Sequence, residues 1–313
     1  MPFKSTAQQF NASIKEVVIG TGDTAITLGG ENVFPLYSFD GPIKNPPRVG
    51  IEFSDLGPDR SLPGIAAFYE GAESVVDVAK RACEKSGADF VSLSLEGADP
   101  NGQDRPIEEC AALCREVAEA VTLPLMIQGC KNIEKDGKLF EKIAEALQGK
   151  NVLLLSAREE NHKAVAVAAV MAYGQKIGAE SSVDINLAKQ LNVLISQIGV
   201  QPGNTTMNLG SAAAGYGFEY VASTMDRVKS AALSQNDVML QMPIVTPVGS
   251  EAWSVKEAVV SEEDFPDWGP VEQRGIDMEI VTAAADIASG ANAVILRHPA
   301  SVSVITTLIA GLV

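Results

Sequence analysis

Residues 90–128 read FVSLSLEGADPNGQDRPIEECAALCREVAEAVTLPLMIQ, and this stretch decides the fold. Its ends, Phe90–Leu95 and Leu123–Gln128, are short apolar runs. Between them Pro106 opens a helix, where its missing N–H costs nothing, and the helix runs to about Ala120. A strand apolar on both faces, followed by a helix and a second such strand, belongs to a parallel sheet covered by helices. The phrase recurs about eight times from Val49 to the C-terminus, over roughly 265 residues, which is the size and rhythm of a (β/α)8 TIM barrel. The remaining strands are expected at Val49–Phe53, Val152–Ser156, Ser182–Ile185, Thr205–Asn208, Met242–Val245 and Ala293–Leu296. Helices are expected at Glu73–Ser86, Phe140–Leu147, Ala164–Ile177, Leu187–Ile198, Phe218–Ala232, Met278–Ser289 and Val302–Leu312. Long loops follow the first and seventh strands, from Ser54 to Gly71 and from Thr246 to Trp268. Loops of that length are uncommon without a function.

The first 47 residues stand outside this rhythm. Val17-Val18-Ile19, the turn Gly20-Thr21-Gly22-Asp23 and Ala25-Ile26-Thr27-Leu28 read as a β-hairpin, followed by a linker through the Pro-rich stretch from Pro42 to Pro47. A hairpin placed there would plug the N-terminal end of the barrel. The expectation is one α/β domain over 1–313, with hairpin and linker in 1–47 and the barrel in 48–313.

Hydrophobic residues make up 46% of the 313-residue chain and charged residues 20%, which suffices for one large packed core. Forty acidic residues against 24 basic ones give a net charge of −16, which argues against nucleic acid or an anionic membrane as partner. The N-terminus lacks the apolar run of a signal peptide, and no run reaches the ~18 residues of a membrane span. Four cysteines in a chain this long do not make a disulfide framework, so a reducing, cytoplasmic location is expected.

A barrel of this kind carries its chemistry on the loops after the strands. Gly20-Thr21-Gly22-Asp23-Thr24-Ala25 matches G-x-G-x-x-A, but a dinucleotide fingerprint must open a helix and here a strand follows. Cys110 and Cys114 share a helix face and lie far along the chain from Cys83 and Cys130, a spacing that suits core thiols better than iron–sulfur ligands. Cys130 follows the third strand at the mouth, where a reactive thiol would need a base. Two distant histidines, His162 and His298, make a zinc site improbable, and a Schiff-base lysine is missing from the ends of strands six and seven, with Lys131 read as a surface residue. His298, after the eighth strand, sits at the functional rim. What remains at the strand ends is mostly uncharged: Ser94, Gln128, Ser156, Asn186, Asn204, Thr205, Asn208, Thr246 and Ser250, joined by Asp55, Glu96 and Asp184. Amides and hydroxyls suit a large polar ligand that itself carries amides, and they do not move protons at neutral pH. The blander reading is that such residues cap the helices that follow.

Four segments carry a family resemblance: GGENVFPLYSFDG at 29–41, NPPRVGIEFSD at 45–55, NTTMNLG at 204–210 and MPIV at 242–245. With the barrel pattern they resemble the small-subunit family of the corrinoid iron–sulfur protein, from the acetyl-CoA synthase/CO dehydrogenase system, over essentially the whole chain. The resemblance implies a barrel paired in a near-obligate heterodimer with a large subunit that carries a four-iron cluster and a corrinoid-binding domain. A cobalamin-type corrinoid would lie between that domain and the barrel, and this chain would hold no iron–sulfur cluster of its own. It implies a methyl carrier of the reductive acetyl-CoA (Wood–Ljungdahl) pathway, not an enzyme by itself. Methyl groups would come from methyltetrahydrofolate through a methyltetrahydrofolate:corrinoid methyltransferase and pass to acetyl-CoA synthase/CO dehydrogenase. The sequence has no D-x-H-x-x-G corrinoid motif, in keeping with cobalt that takes no histidine as lower ligand. The ring would lie over the C-terminal end of the barrel, with its amides met by Asn186, Asn204, Thr205, Asn208, Thr246, Ser250 and His298, and with Trp253 as an apolar cover. The alternative is a pterin-binding methyltetrahydrofolate:corrinoid methyltransferase barrel, in which Asp184, Asn186 and Asn208 would hold the pterin.

Overall fold

The computed structural model describes residues 6–313. A two-stranded antiparallel hairpin, β1 (Val17–Ile19) and β2 (Ile26–Leu28), comes first. It is followed by eight parallel strands: β3 (Arg48–Ser54), β4 (Phe90–Ser94), β5 (Leu125–Gln128), β6 (Leu153–Ala157), β7 (Lys176–Glu180), β8 (Thr205–Asn208), β9 (Val245–Pro247) and β10 (Ala293–Leu296). Their spatial order is β8-β7-β6-β5-β4-β3-β10-β9. A parallel bridge between Met207 and Ile244 brings the two edges together, with the Met207 N–H donating to Pro243 O at 2.8 Å. The helices are α1 (Pro63–Phe68), α2 (Val75–Lys85), α3 (Ile107–Ala120), α4 (Ile133–Ala146), α5 (His162–Val165, continued by a π-helical stretch to Ala172), α6 (Ile185–Gln197), α7 (Phe218–Ser234), α8 (Val248–Ala252), α9 (Lys256–Val259), α10 (Val271–Ser289) and α11 (Pro299–Leu312). The expected TIM barrel with an N-terminal hairpin is the fold observed.

Strand periodicity sorts the side chains into two sets. Val49, Ile51, Val91, Leu93, Ile127, Leu154, Ile177, Val294 and Leu296 face the helices in one large core, and Met207 and Ile244 join α7 in another. The alternate residues face the barrel axis. At the N-terminal end these are Phe90, Met126, Leu153, Val245 and Ala293, which pack in one cluster against Val17, Ile19, Ile26 and Leu28 of the hairpin. The hairpin is therefore the floor of the barrel. Gly50 is small because Phe90 lies across it: an added Cβ would sit 2.1 Å from that ring. Asn151 ties the floor in place, donating to Val18 O and Gly20 O at 2.9 Å each.

The structure corrects several elements; among them α4 and α10 begin at Ile133 and Val271, each seven residues before the expected start. The fifth barrel strand is Lys176–Glu180, not Ser182–Ile185. Its ends are charged and its centre is Gly178, so it lacks the expected apolar signature. The charges are tolerated because Lys176 Nζ donates to Asn204 Oδ1 at 2.6 Å and Glu180 accepts from Arg158 at 2.6 Å. The preceding helix stops at Ala172, where Gly174 at φ +70° turns the chain, instead of running to Ile177. The seventh strand starts at Val245, three residues later than expected. The two long loops are partly helical, holding α1 and the pair α8 and α9.

Two buried polar clusters fix the barrel ends. Lys229 of α7, only 2% exposed, donates to Glu31 Oε1 at 2.7 Å and Asn292 Oδ1 at 2.9 Å, joining the linker to the start of β10. At the other end Glu279 of α10 accepts from the backbone N–H groups of Arg297 at 2.5 Å and His298 at 3.1 Å, which clamps the exit of β10. Burial pushes the Glu279 carboxyl up to about 7.

Breaking a buried ion pair on one side strands the other charge. Lys229→Met should therefore cost about 3–5 kcal/mol of unfolding free energy, and the double variant with Glu31→Gln should recover part of it, as measured by urea titration. Because Glu279 holds its proton to a higher pH when folded than when unfolded, its contribution is complete below about 4.5 and is lost as pH rises through about 7. The urea midpoint should fall between about pH 5 and pH 7.5, and fall less in Glu279→Gln. Equal falls in the two proteins would refute the assignment.

Candidate functional site

The C-terminal mouth is built from inward-facing residues near the ends of the strands. Glu52 of β3, Ser94 of β4, Gln128 of β5, Glu180 of β7, Asn208 of β8 and Pro247 of β9 all line one cavity of about 530 Å3, with Arg297 just beyond β10. Ser156, Arg158, Ser182, Gly210 and Ser250 complete its rim. The polar side chains form separate hydrogen-bonded groups around the mouth. Arg297 Nε donates to Glu52 Oε1 at 2.9 Å, and Gln128 Nε2 donates to Glu52 Oε2 and to Ser92 Oγ, each at 3.1 Å. Asn208 Nδ2 donates to Ser156 Oγ at 3.0 Å while its oxygen accepts from the Gly210 N–H. Burial works against the Arg297 charge, but Glu52 outweighs it, with Glu96 and Glu279 adding to the effect, and the guanidinium is held above its ordinary range.

Of the eight residues expected to meet a ligand, the structure brings Asn208 and Ser250 together at the mouth, with Ser94, Gln128 and Ser156 beside them. The other six sit elsewhere. Asn204 and Thr205 lie at the start of β8, at the floor end, where Asn204 accepts from Lys176. Thr246 alternates with the inward-facing Val245 and Pro247, so it faces away from the axis; it is fully buried. Asn186 is exposed in the first turn of α6, and Asp184 caps that helix by accepting from the backbone N–H groups of Asn186 and Leu187. Trp253 is packed over Gly275 of α10 and stacks on His298, with ring centroids 5.9 Å apart, so it is a wall and not a lid.

His298 is also committed within the chain. It caps α11, with Nδ1 accepting from the Ala300 N–H at 3.1 Å, which leaves the proton on Nε2, facing Glu272 Oε1 at 3.3 Å. Burial lowers its pKa against the opposing pull of Glu272. Cys130 does line the mouth, but burial pushes its thiol up to about 12, and it donates to Asp136. Cys110 and Cys114 are buried on one helix face, as their spacing predicts. Asp55 is buried, accepting from the Gly97 N–H and paired with Arg105, so it braces the loop after β4.

The mouth is more charged than its sequence signature suggested. Glu52, Arg158, Glu180 and Arg297 are the residues that the strand-end reading passed over. A signal for Glu52 was present: a carboxylate inside the run Val49-Gly50-Ile51-Glu52-Phe53 is a buried polar group and has to find a partner. Beside the main cavity a side pocket of about 290 Å3 opens between α1 and α9, and it shares Glu52, Ser94, Glu96 and Arg297 with the mouth.

The fold is similar to that of dihydropteroate synthase. The Xanthomonas albilineans enzyme with 4-aminobenzoic acid superposes with a TM-score of 0.54 at 13% identity, over 95% of this chain and 98% of the other. Sequence similarity points to a different group. The chain is 30% identical over 315 residues to the acetyl-CoA decarbonylase/synthase complex subunit delta of Archaeoglobus fulgidus, covering 97% of this chain and 69% of that protein. It is 32% identical over 308 residues to subunit delta 2 of that complex from Methanosarcina acetivorans, covering 95% and 70%. The family profile described as CO dehydrogenase/acetyl-CoA synthase delta subunit matches residues 16–308, nearly the whole barrel and its hairpin floor. By that match and by these relatives, this chain belongs to the CO dehydrogenase/acetyl-CoA synthase delta subunit family.

Proposed function

We propose that this chain is a methyl-carrier subunit of the acetyl-CoA pathway that holds a cobalamin-type corrinoid across the C-terminal mouth of its barrel, with a large corrinoid/iron–sulfur subunit on the other side. The observation that carries the reading is the polar layer of Ser94, Gln128, Ser156, Asn208, Ser250, Arg158 and Arg297 around one open cavity. The interior of an eight-stranded barrel is only wide enough for side chains, so a corrin must lie over this mouth and not in it. The donor set fits such a ring. Its fringe of amides needs both donors and acceptors, and the layer alternates guanidinium and amide N–H groups with carboxylate, amide and hydroxyl oxygens. A buried amide left unpaired would cost on the order of 1–3 kcal/mol.

When bound, the corrinoid supplies cobalt, whose reduced form is the methyl acceptor. The protein's part is to bind, orient and exclude water. Gln128 and Asn208 are held by Glu52 and Ser156, so their remaining polar atoms are fixed in direction. His298 and His162 both hydrogen-bond within the chain, which leaves the mouth without a histidine to offer the metal. Methyltetrahydrofolate:corrinoid methyltransferase as methyl source, acetyl-CoA synthase/CO dehydrogenase as recipient and a cytoplasmic location belong to the same reading. The net charge of −16 disfavours polyanionic partners. Among the described residues no helix is long and apolar enough to cross a membrane. Of the three residues that a pterin-binding reading needs, Asn208 lines the mouth, while Asp184 is a helix cap and Asn186 an exposed helix residue.

Purification of the complex from its native source with a cobalt assay tests this directly: cobalt should accompany the heterodimer in stoichiometric amount. Within that complex Asn208→Ala should lower cobalt retention several-fold without unfolding the barrel. Thr246→Ala, on the wrong side of its strand, should leave retention unchanged. Equal loss from both, or from neither, would count against a mouth-bound corrinoid. The isolated chain should not bind methyltetrahydrofolate, and a measurable affinity by equilibrium dialysis would favour the methyltransferase reading.

A further inference from the structure

The stretch after β9, from Thr246 to Pro270, carries six carboxylates, at Glu251, Glu257, Glu262, Glu263, Asp264 and Asp267, against a single lysine, Lys256. Of its residues Pro247, Ser250 and Glu251 line the mouth, and the outer part holds α9 and the turn Pro266–Trp268. This outer part is stapled to the barrel. Arg274 of α10 donates through Nη2 to Val260 O at 2.6 Å, and the Val271 N–H donates to Glu262 Oε1 at 3.0 Å. Lys256 Nζ stands 4.4 Å from the Phe265 ring centroid and 5.4 Å from that of Trp268, and the two rings are 4.3 Å apart. Tyr216, in the loop after β8, donates to Glu257 Oε2 at 2.5 Å. The loops after β8 and β9 are thereby tied into one surface beside the mouth.

Large apolar side chains stand exposed on it: Val259 is 57% exposed, Tyr216 48% and Trp268 39%. Glu262, Glu263, Asp264 and Asp267 are exposed on the same loop. Neither of the two cations nearby forms an ion pair with these four carboxylates among the described residues. Lys256 lies over the aromatic rings, and Arg274 donates to a backbone carbonyl with the Trp268 ring 5.7 Å away. Exposed apolar groups rimmed by charge mark a protein–protein surface. Trp and Tyr are among the residues that most often carry the binding energy at one. The staples matter as well, because a surface ordered before contact loses less freedom on binding.

The charge selects the occupant. Nucleic acid and anionic lipid are repelled by it. A second copy of this chain would set the same carboxylates face to face in a two-fold contact, and like charges so placed work against association. A small ligand needs an enclosed hollow, and these side chains are exposed on loops. A protein surface that offers Lys or Arg side chains around an apolar hollow satisfies both the charge and the apolar groups. The position adds continuity with the mouth. Glu251 lines the mouth itself, and Val259 lines the side pocket that shares Glu52 and Arg297 with it. A subunit that covers the mouth therefore meets this loop. Resting on the reading of the mouth given above, we propose that Tyr216, Val259 and Trp268, with the carboxylates of Glu263 and Asp267, form the sector of the rim that docks the large subunit, and that the large subunit meets it with a basic patch.

The test uses the heterodimer of full-length subunits, produced together, diluted, and its Kd read by mass photometry at about 50 and about 300 mM salt, with cobalt assayed in the complex. The parent Kd should rise at least about fivefold between those salt concentrations, because the pairs across the contact are exposed. Glu263 and Asp267 have no hydrogen bond to lose among the described residues, so Glu263→Lys with Asp267→Lys leaves the staples intact. That double variant should raise Kd at least about tenfold at low salt and lose most of the salt dependence. Val259→Asp should raise Kd at least about tenfold at both salt concentrations, with the fold unchanged by circular dichroism. Val304→Asp, an exposed apolar position on α11, should leave Kd unchanged. A cobalt-bearing heterodimer whose Kd is the same in the parent, the double variant and Val259→Asp overturns the docking surface and leaves the mouth reading standing. Tighter binding by the double variant, or a larger loss from Val304→Asp than from Val259→Asp, also overturns it. Failure of the parent chain to form a heterodimer overturns both.

Discussion

The Glu52–Arg297 ion pair is the point on which the mouth depends. Glu52 ends one wall of the barrel and Arg297 leaves its neighbour β10, and the register of those two strands sets them side by side. Glu52 is 5% exposed, so its charge is tolerable only because Arg297 and Gln128 both donate to it. Arg297 is held in turn by the Glu279 carboxylate on its backbone N–H. Three strands and α10 are thereby locked to a single buried charge. Removing either member would leave the other uncompensated in a low-dielectric site, which is the costly way to break such a pair.

That lock divides the mouth in two. On one side lies the broad polar cavity, on the other the narrow pocket walled by α1, Trp253 and α9. The broad side suits a ligand with many amides because its donors and acceptors alternate and are already oriented by one another. Orientation matters energetically: a side chain held by a neighbour loses less rotamer freedom when a ligand arrives. The hairpin floor complements this. By filling the N-terminal end with Val17, Ile19 and Leu28, it closes the barrel below, opposite the strand exits at which the mouth cavity lies.

Fold and family likeness point in different directions, and the distinction follows from what each measures. The resemblance to dihydropteroate synthase at 13% identity reflects the common packing problem of eight parallel strands and their helices. The match over residues 16–308 to the delta subunit family takes in the hairpin floor and the linker as well as the barrel.

The eight-fold βα rhythm, the hairpin and the apolar strand cores could be read from the chain itself, because helix and strand periodicity is local and the strands are apolar on both faces. The strand Lys176–Glu180 could not, since its charges are acceptable only beside Asn204 and Arg158, far away in sequence. The same division runs through the site. Ser94, Gln128, Ser156, Asn208 and Ser250 were legible as strand-end polar residues, and the structure brings them together. Thr205 and Thr246 were misplaced because a strand alternates with a period of two: a residue one step out of phase faces the helices, and only the pairing register fixes the phase. Asn204 was assigned to the wrong end of β8 because composition does not say which end of a short strand faces the mouth. His298, Trp253 and Asp184 had the right chemistry, but caps and packing partners elsewhere in the fold had already claimed it. Sequence determined the architecture and the residue types available at the mouth; tertiary structure decided which of them face it, because direction and partner are set by neighbours that the linear chain does not place side by side.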